Sequence, residues 1–314
     1  MSGPSLGESP PQLGKSIASG GERTALTGIL LLLGAGLLFS VMDATAKYLS
    51  QRYSVVEIAW ARYVFHAVTL PLIVGRFGSI GGLAALRSQR LGLQLWRSLF
   101  LLGSTFCFYL AISFIPLADA TAIGFIGPLM VTALSVPFLK ERVGPRRWAA
   151  VTIGFLGALV IIRPGPGMGH PAALFSVASA ACFACYAIST RIVSRTDQWS
   201  TTLIWSASVG TVVLSAAVPF TWRTPDLAGW LAFGFLGLIG SLSHLLLILA
   251  YARAPASTLA PLSYLQLVWS TSFGLLMFGN FPDHWTLGGA AVIVASGLYV
   301  LYRERRRRGE IPRG

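Results

Sequence analysis

Ten runs of apolar residues, each closed by a proline, glycine or charged breaker, constrain this chain more than any other feature. They fall near residues 26–46, 54–74, 92–113, 119–138, 146–163, 171–192, 201–220, 229–250, 257–278 and 286–303. A hydrocarbon core of about 30 Å is crossed by about 20 apolar residues in helical form. Lipid offers no partner to backbone N–H and C=O groups, so each run must satisfy its own as a helix. The breakers are well separated: FIPLAD at 114–119, KERVGPRR at 140–147, RPGPGMGHP at 163–171, TWRTPDL at 221–227, ARAPAS at 252–257 and GNFPDHW at 279–285. The fold class that follows is all-α integral membrane, with ten transmembrane helices.

Composition supports the same class. Charged residues make up 11% of the 314, and hydrophobic ones 54%, whereas soluble chains carry roughly 25% charged residues. Ten spans with short connections leave no room for a further soluble domain. The net charge of +13 does not point to nucleic acid, because the excess sits in short loops and tails between apolar spans. With a cytosolic N-terminus, nineteen of the 24 Lys and Arg residues fall in inside segments and four in outside ones, with Arg62 in mid-span. The positive-inside rule then puts both termini in the cytosol, which requires an even number of spans.

Residues 1–24, rich in Gly, Ser and Pro, read as a disordered cytosolic tail, and 304–314 as a basic cytosolic tail. The first apolar run is too long for a signal-peptide core and stays as helix 1. Cys107, Cys182 and Cys185 lie inside spans, and the four histidines are scattered. No metal site is expected, and no cofactor. No Walker motif, nucleophile elbow or H-E-x-x-H occurs.

An internal repeat emerges at an offset of 139 residues. LAISFIPLADATA at 110–122 lies over LAYARAPASTLAP at 249–261. Helices 4 and 5 then lie over helices 9 and 10 without a gap. Five spans per half is odd, so the second half enters the membrane from the opposite side. The expected architecture is two inverted five-helix repeats, 25–163 and 164–303. Carriers built this way bind cargo near the midplane between the halves.

These residues resemble the drug/metabolite transporter superfamily, of the type with two EamA domains. The resemblance covers about 26–303. It rests on SVMDATAKYL (40–49), VVEIAWARYVF (55–65), FIPLADATAIGFIGPLMVTALSVPFLKERVGPRRW (114–148) and APASTLAPLSYLQLVWSTSFGLLMFGNFPDHWTLGGA (254–290). Glu141, closing helix 4, matches a usual mark of the first half; Asn280 stands at the corresponding place in the second. The resemblance implies a secondary-active carrier of a small polar organic metabolite in the bacterial inner membrane. Within the superfamily the pattern is similar to uptake carriers for S-adenosylmethionine or riboflavin. Exporters of amino acids and opine-type metallophores share the frame, so direction stays open.

Ionisable groups in mid-membrane cost about 2.5–3.5 kcal/mol on insertion scales, so each is a functional candidate. Arg62 stands near the centre of helix 2. Its guanidinium suits a carboxylate or phosphate, or a structural ion pair with Asp43 or Glu57. His66 lies one turn on, a proton relay or a hydrogen-bonded core histidine. His244, between Ser241 and Ser243, carries the same two readings. Asp43 and Lys47 are spaced for an ion pair, and Glu57 sits near the end of helix 2. Arg97 and Trp96 read as snorkelling and aromatic-belt residues. Tyr109, Tyr186, Trp205, Tyr264 and Trp269, with Gln266, line a site for a flat ring or cation, or pack against lipid. Gly154 with Gly157, and Gly234 with Gly237 and Gly240, mark close helix packing. Pro128, Pro137 and Pro261 mark kinks or interruptions. Expected partners are a small-molecule substrate and the lipid bilayer, with protons as a candidate coupling ion and a homodimer as a candidate assembly. A membrane enzyme or a channel is the competing class; saturable counterflow separates a carrier from both.

Overall fold

Ten apolar runs become ten membrane-crossing units in the computed structural model, which describes residues 13–77, 87–141, 143–165, 169–254 and 256–309. The helices are α1 (Leu13–Leu49), α2 (Val55–Phe77), α3 (Leu91–Phe114), α4 (Leu117–Gly124), α5 (Gly127–Leu139) and α6 (Pro145–Ile162). The second half holds α7 (Ala173–Val193), α8 (Trp199–Ala217), α9 (Leu227–Arg253), α10 (Ala256–Leu259), α11 (Gln266–Phe278) and α12 (His284–Gly309). Eight spans are long and apolar enough to cross a bilayer, counting α4 with α5 as Leu117–Leu139. The other two are α2 and the pair α10–α11, joined by a 3-10 segment at Ala260–Leu265. Helix α1 begins at Leu13, ahead of the first apolar run, and residues 1–12 and 310–314 lie outside the described residues.

Local sequence sets the boundaries. Ser54 and Glu57 form a capping box at the start of α2: Glu57 Oε2 accepts from the Ser54 amide at 3.0 Å, and Ser54 Oγ from the Glu57 amide at 3.2 Å. Asp226 caps α9, accepting from the Gly229 amide at 2.7 Å. Pro145 occupies the first turn of α6, where its missing N–H costs nothing.

The repeat at 139 residues is written into the helix bounds. Helix α5, 127–139, maps onto α11, 266–278, with no shift at either end. Pro145, opening α6, maps onto His284, opening α12. The left-handed caps correspond as well: Lys140 (φ 54°) maps onto Gly279 (φ 68°). The fourth and ninth spans break at matching places, Phe125–Ile126 and Ala260–Leu265.

Packing obeys the same two-fold relation. Helix α1 packs on α9, and its image α7 packs on α3; α1 also meets α11, and α7 meets α5. Helices α6 and α12, images of each other, pack together. There a Cβ on Gly154 would stand 3.3 Å from Ser296 Cβ, and one on Gly157 3.1 Å from Ile293 Cγ1. At the offset of 139 these two contacts are images of one another. Phe125 and Tyr264 are also images, and their rings meet at 5.0 Å. The architecture is therefore two inverted five-helix repeats around an axis marked by these self-paired contacts. The glycines at one-turn spacing act as close-approach points. Gly237 sits against Phe65, and a Cβ on Gly240 would stand 3.2 Å from Met42 Sδ.

Candidate functional site

Four helices, α1, α2, α3 and α9, bring a set of ionisable and polar side chains together inside the bundle. Asp43 comes from α1, Arg62 and His66 from α2, Thr105 and Tyr109 from α3, and His244 from α9. Asp43, Arg62, His66 and Tyr109 are each at least nine-tenths buried. Arg62 and His66 share a face because they are spaced i, i+4. Thr105 and His244 are repeat images of each other at the offset of 139.

The guanidinium of Arg62 donates from Nη1 to Thr105 Oγ1 at 2.6 Å. Tyr63 Oη lies 3.3 Å from the same hydroxyl. The rings of Tyr63 and Tyr109 each stand 5.7 Å from Arg62 Cζ. Tyr109 Oη is buried without a hydrogen-bond partner. Asp43 lies within Coulombic reach of Arg62. The two do not close into an ion pair: among the described residues the pairs are Arg163–Asp283 and Arg191–Glu141. His66 and His244 stack with ring centroids 5.6 Å apart, and Phe39 meets His244 edge-on at 5.0 Å. His66 Nε2 is buried without a partner.

Other sequence candidates fall elsewhere. Glu57 belongs to the α2 capping box, and its Oε1 accepts from the Arg223 amide at 2.7 Å, tying the loop before α9. It therefore does not pair with Arg62. Lys47 does not pair with Asp43; its Nζ donates to the carbonyls of Ile112 and Ile115 at 2.6 and 2.8 Å. A cation there caps the negative end of α3. Gln266 lies against α1, its carbonyl accepting from Ser40 Oγ at 3.4 Å, and Ser40 Oγ is 3.2 Å from Ser270 Oγ. Tyr264 packs at the two-fold contact with Phe125. Trp269, on the same broken span, has a buried indole N–H without a partner. Trp205 lies on α8.

Arg97 corrects the sequence reading. It does not snorkel; it is fully buried, while Trp96 beside it is exposed. Its Nε donates to Gln94 Oε1 at 3.1 Å, Nη1 to Thr190 Oγ1 at 3.4 Å, and Nη2 to Ser206 Oγ at 2.6 Å and to the Thr202 carbonyl. The Tyr186 ring lies 5.1 Å from its Cζ. Gln94 passes the charge outward, donating to Asp197 Oδ2 at 2.8 Å. Burial pushes the Asp197 carboxyl up, but hydrogen bonds from Ser88, Gln94, the Gln89 amide and Thr196 outweigh it and hold it below the usual range. This network clamps α3 of the first half to α7 and α8 of the second. Its signal in the sequence was a Gln and an Arg three residues apart inside an apolar run.

A cavity of about 340 Å³ opens at the end of the bundle opposite the termini, among Phe114, Pro116, Asp119, Arg163, His170 and Asp283. Arg163 and Asp283 pair at 2.7 Å across it, linking the first half to the second. Glu141 and Arg191 pair at 2.6 Å at the opposite end and also join the halves.

Comparison with known proteins agrees with this architecture. The model of the EamA-like transporter family matches residues 26–163 and again 170–302, one match per repeat. An S-adenosylmethionine uptake transporter of Rickettsia bellii is 31% identical over 267 residues, 85% of this chain and 90% of that protein. A riboflavin transporter of Vibrio cholerae is 29% identical, covering 90% of this chain and 95% of its own length. A pseudopaline exporter of Pseudomonas aeruginosa is 27% identical, covering 86% and 94%. A solved crystal structure superposes with a TM-score of 0.61 at 21% identity, covering 90% of this chain and 99% of the other, a likeness of fold. Family and architecture together make this protein a multi-pass membrane transporter of small metabolites. The chain belongs to the EamA-like transporter family.

Proposed function

We propose that the protein is a secondary-active carrier that moves a small polar organic metabolite across the bacterial inner membrane by alternating access. Arg62, with Asp43, His66, Tyr109 and His244, forms the site that meets the cargo. The observation that carries this reading is the burial of Asp43 and Arg62 within membrane-spanning helices without an ion pair. Each such charge costs about 2.5–3.5 kcal/mol to insert, and a fold that only needed to pack has no use for that cost. The two inter-half ion pairs support the rocking motion. Each ties one end of the bundle, and opening either end requires one of them to part while the other holds. The outer cavity is then the vestibule on the side opposite the termini, and the Lys and Arg distribution puts the termini in the cytosol. Relatives named for uptake and for export carry the same frame, so they support the cargo class and leave direction to measurement.

Counterflow tests the proposal. Purified protein in liposomes loaded with S-adenosylmethionine or riboflavin is diluted into trace labelled compound. A carrier gives saturable, transient accumulation of label. Flux that rises linearly with concentration indicates a channel, and chemical change of the compound indicates an enzyme; either result removes the proposal.

A further inference from the structure

We infer that Lys47 is the gate between the outer cavity and the Arg62 site: its tie from α1 to the end of α3 closes that path and parts when the carrier opens to the side of the cavity. The inference rests on the carrier reading above and goes beyond it by naming the residue that shuts one end.

The tie exists because of a proline. In a helix the carbonyl of Ile112 accepts from the amide four residues on. That residue is Pro116, which has no N–H. The Ile115 amide still reaches the Ala111 carbonyl at 2.9 Å, but the next carbonyl is stranded. Lys47 supplies the missing donor. Its Nζ donates to the Ile112 carbonyl at 2.6 Å and to that of Ile115 at 2.8 Å. The same ammonium stands 5.4 Å from the centre of the Phe278 ring, at the end of α11. One side chain thus holds α1 and α3 of the first half against α11 of the second.

Depth makes this tie a gate. On α1, Lys47 lies one turn beyond Asp43, away from the termini, and on α3, Ile112 lies nearly one turn beyond Tyr109. Each step is about 5–6 Å along the helix. Ile115 lies on the far side of the layer and lines the outer cavity together with Asp119. The layer from Lys47 to Ile112 therefore stands between the site and the cavity. Ile112 and Leu117 are fully buried, so the layer is closed in this state.

The chemistry suits release. The acceptors are neutral carbonyls, and among the described residues no carboxylate pairs with Lys47. An ammonium is a strongly hydrated point charge on a flexible stem, and this side chain is only half buried. It exchanges carbonyls for water without leaving an unpaired carboxylate behind. Arg97, near the opposite end, is fully buried and donates to four acceptors, an arrangement that holds rather than yields.

The test is thiol labelling of the purified full chain in lipid nanodiscs, with Cys107, Cys182 and Cys185 replaced. Three reporters are compared with and without Lys47→Met. They are Thr105→Cys in the site, Ala173→Cys in the cavity and Val193→Cys, fully buried at the other end of α7. Loss of the ammonium is expected to speed labelling of Thr105→Cys about 10-fold, the worth of one charge-assisted contact on the opening equilibrium. Labelling at the other two reporters is expected to stay as it is. An unchanged rate at Thr105→Cys overturns the inference. So does an equal rise at Val193→Cys, which marks general loosening of the bundle. Pro116→Ala is an independent perturbation: it returns an N–H to the Ile112 carbonyl in competition with Lys47, and is expected to act in the same direction. Where Lys47→Met fails to fold, a Pro116→Ala protein that labels like wild type overturns the inference. Labelling needs no cargo, so a failed gate leaves the carrier reading to counterflow, and failed counterflow removes that reading whatever the labelling shows.

Discussion

Gln94→Leu is the sharpest perturbation of the clamp between the halves. Gln94 is fully buried and bonds two charged groups, accepting from Arg97 and donating to Asp197. Leucine keeps the bulk and removes both, along with a long 3.3 Å bond to Thr202 Oγ1. Asp197 is partly exposed and retains Ser88 and the Gln89 amide, so water repairs most of its loss, at a cost of about 1 kcal/mol. Arg97 Nε is left in a dry interior without an acceptor, costing about 2–3 kcal/mol. The sum, about 3–4 kcal/mol, lowers the midpoint of thermal unfolding by roughly 10 °C, using the slope of soluble domains. The assay is unfolding of purified protein in detergent, followed by intrinsic fluorescence. Gln94→Glu keeps an acceptor for Arg97 but turns a carboxylate toward Asp197, so it falls between wild type and leucine. In an Arg97→Met background, Gln94→Leu loses most of its effect, because the stranded donor is gone. A leucine variant that unfolds within 2 °C of wild type would refute the reasoning, on the slope used above. So would a glutamate variant worse than leucine.

Three further outcomes follow from the packing and the loops. Gly289→Ala puts a methyl group 2.5 Å from the Gly157 carbonyl oxygen and from Ile161 Cγ1, and should destabilise by about 1–3 kcal/mol; Gly288→Ala, with nothing within 4 Å of its new Cβ, should be neutral or stabilising by up to about 1 kcal/mol. Paired melting curves of the two variants check this. Asp283→Asn breaks an exposed ion pair with Arg163 and should cost no more than about 1 kcal/mol, while speeding thiol labelling of an Ala173→Cys probe in the adjoining cavity, in a background without the native cysteines. Unchanged labelling would remove Arg163–Asp283 as a tie across that entrance. The Asp197 carboxyl is held below its ordinary range, so its contribution is full at neutral pH and fades as pH falls below about 4 toward the folded-state value. Asp197→Asn should lower the melting point at pH 7 and flatten its decline between pH 5 and 3.

Much of the fold was legible before any coordinates. The breakers around Pro116 and Pro255 gave the offset of 139, and the ends of α5 and α11 keep it without a slip. Asp43, Arg62, His66, Tyr109 and His244 stood out as ionisable or aromatic residues in apolar runs. Glu57 was a candidate for the site, although the Ser54-x-x-Glu57 spacing already spelled a capping box. Sequence alone places Arg97 at the membrane edge, and nothing in the apolar runs marks Thr105, Gln94 or Tyr63 as special.

The amino-acid sequence by itself determined the number of spans, their breaks, the repeat and the family resemblance, because lipid imposes length and polarity rules on every crossing helix. Which side chains meet was decided only by tertiary structure. In a soluble helix the apolar stripe marks the buried face. In a helix surrounded by lipid and protein alike, both faces are apolar, and periodicity does not tell one from the other. Arg62 and Arg97 look equivalent in a run of apolar letters. Packing gives Arg97 four neutral acceptors and leaves Arg62 with one, beside an unpaired Asp43. That difference, between a saturated guanidinium and an unsatisfied one, separates the clamp from the site.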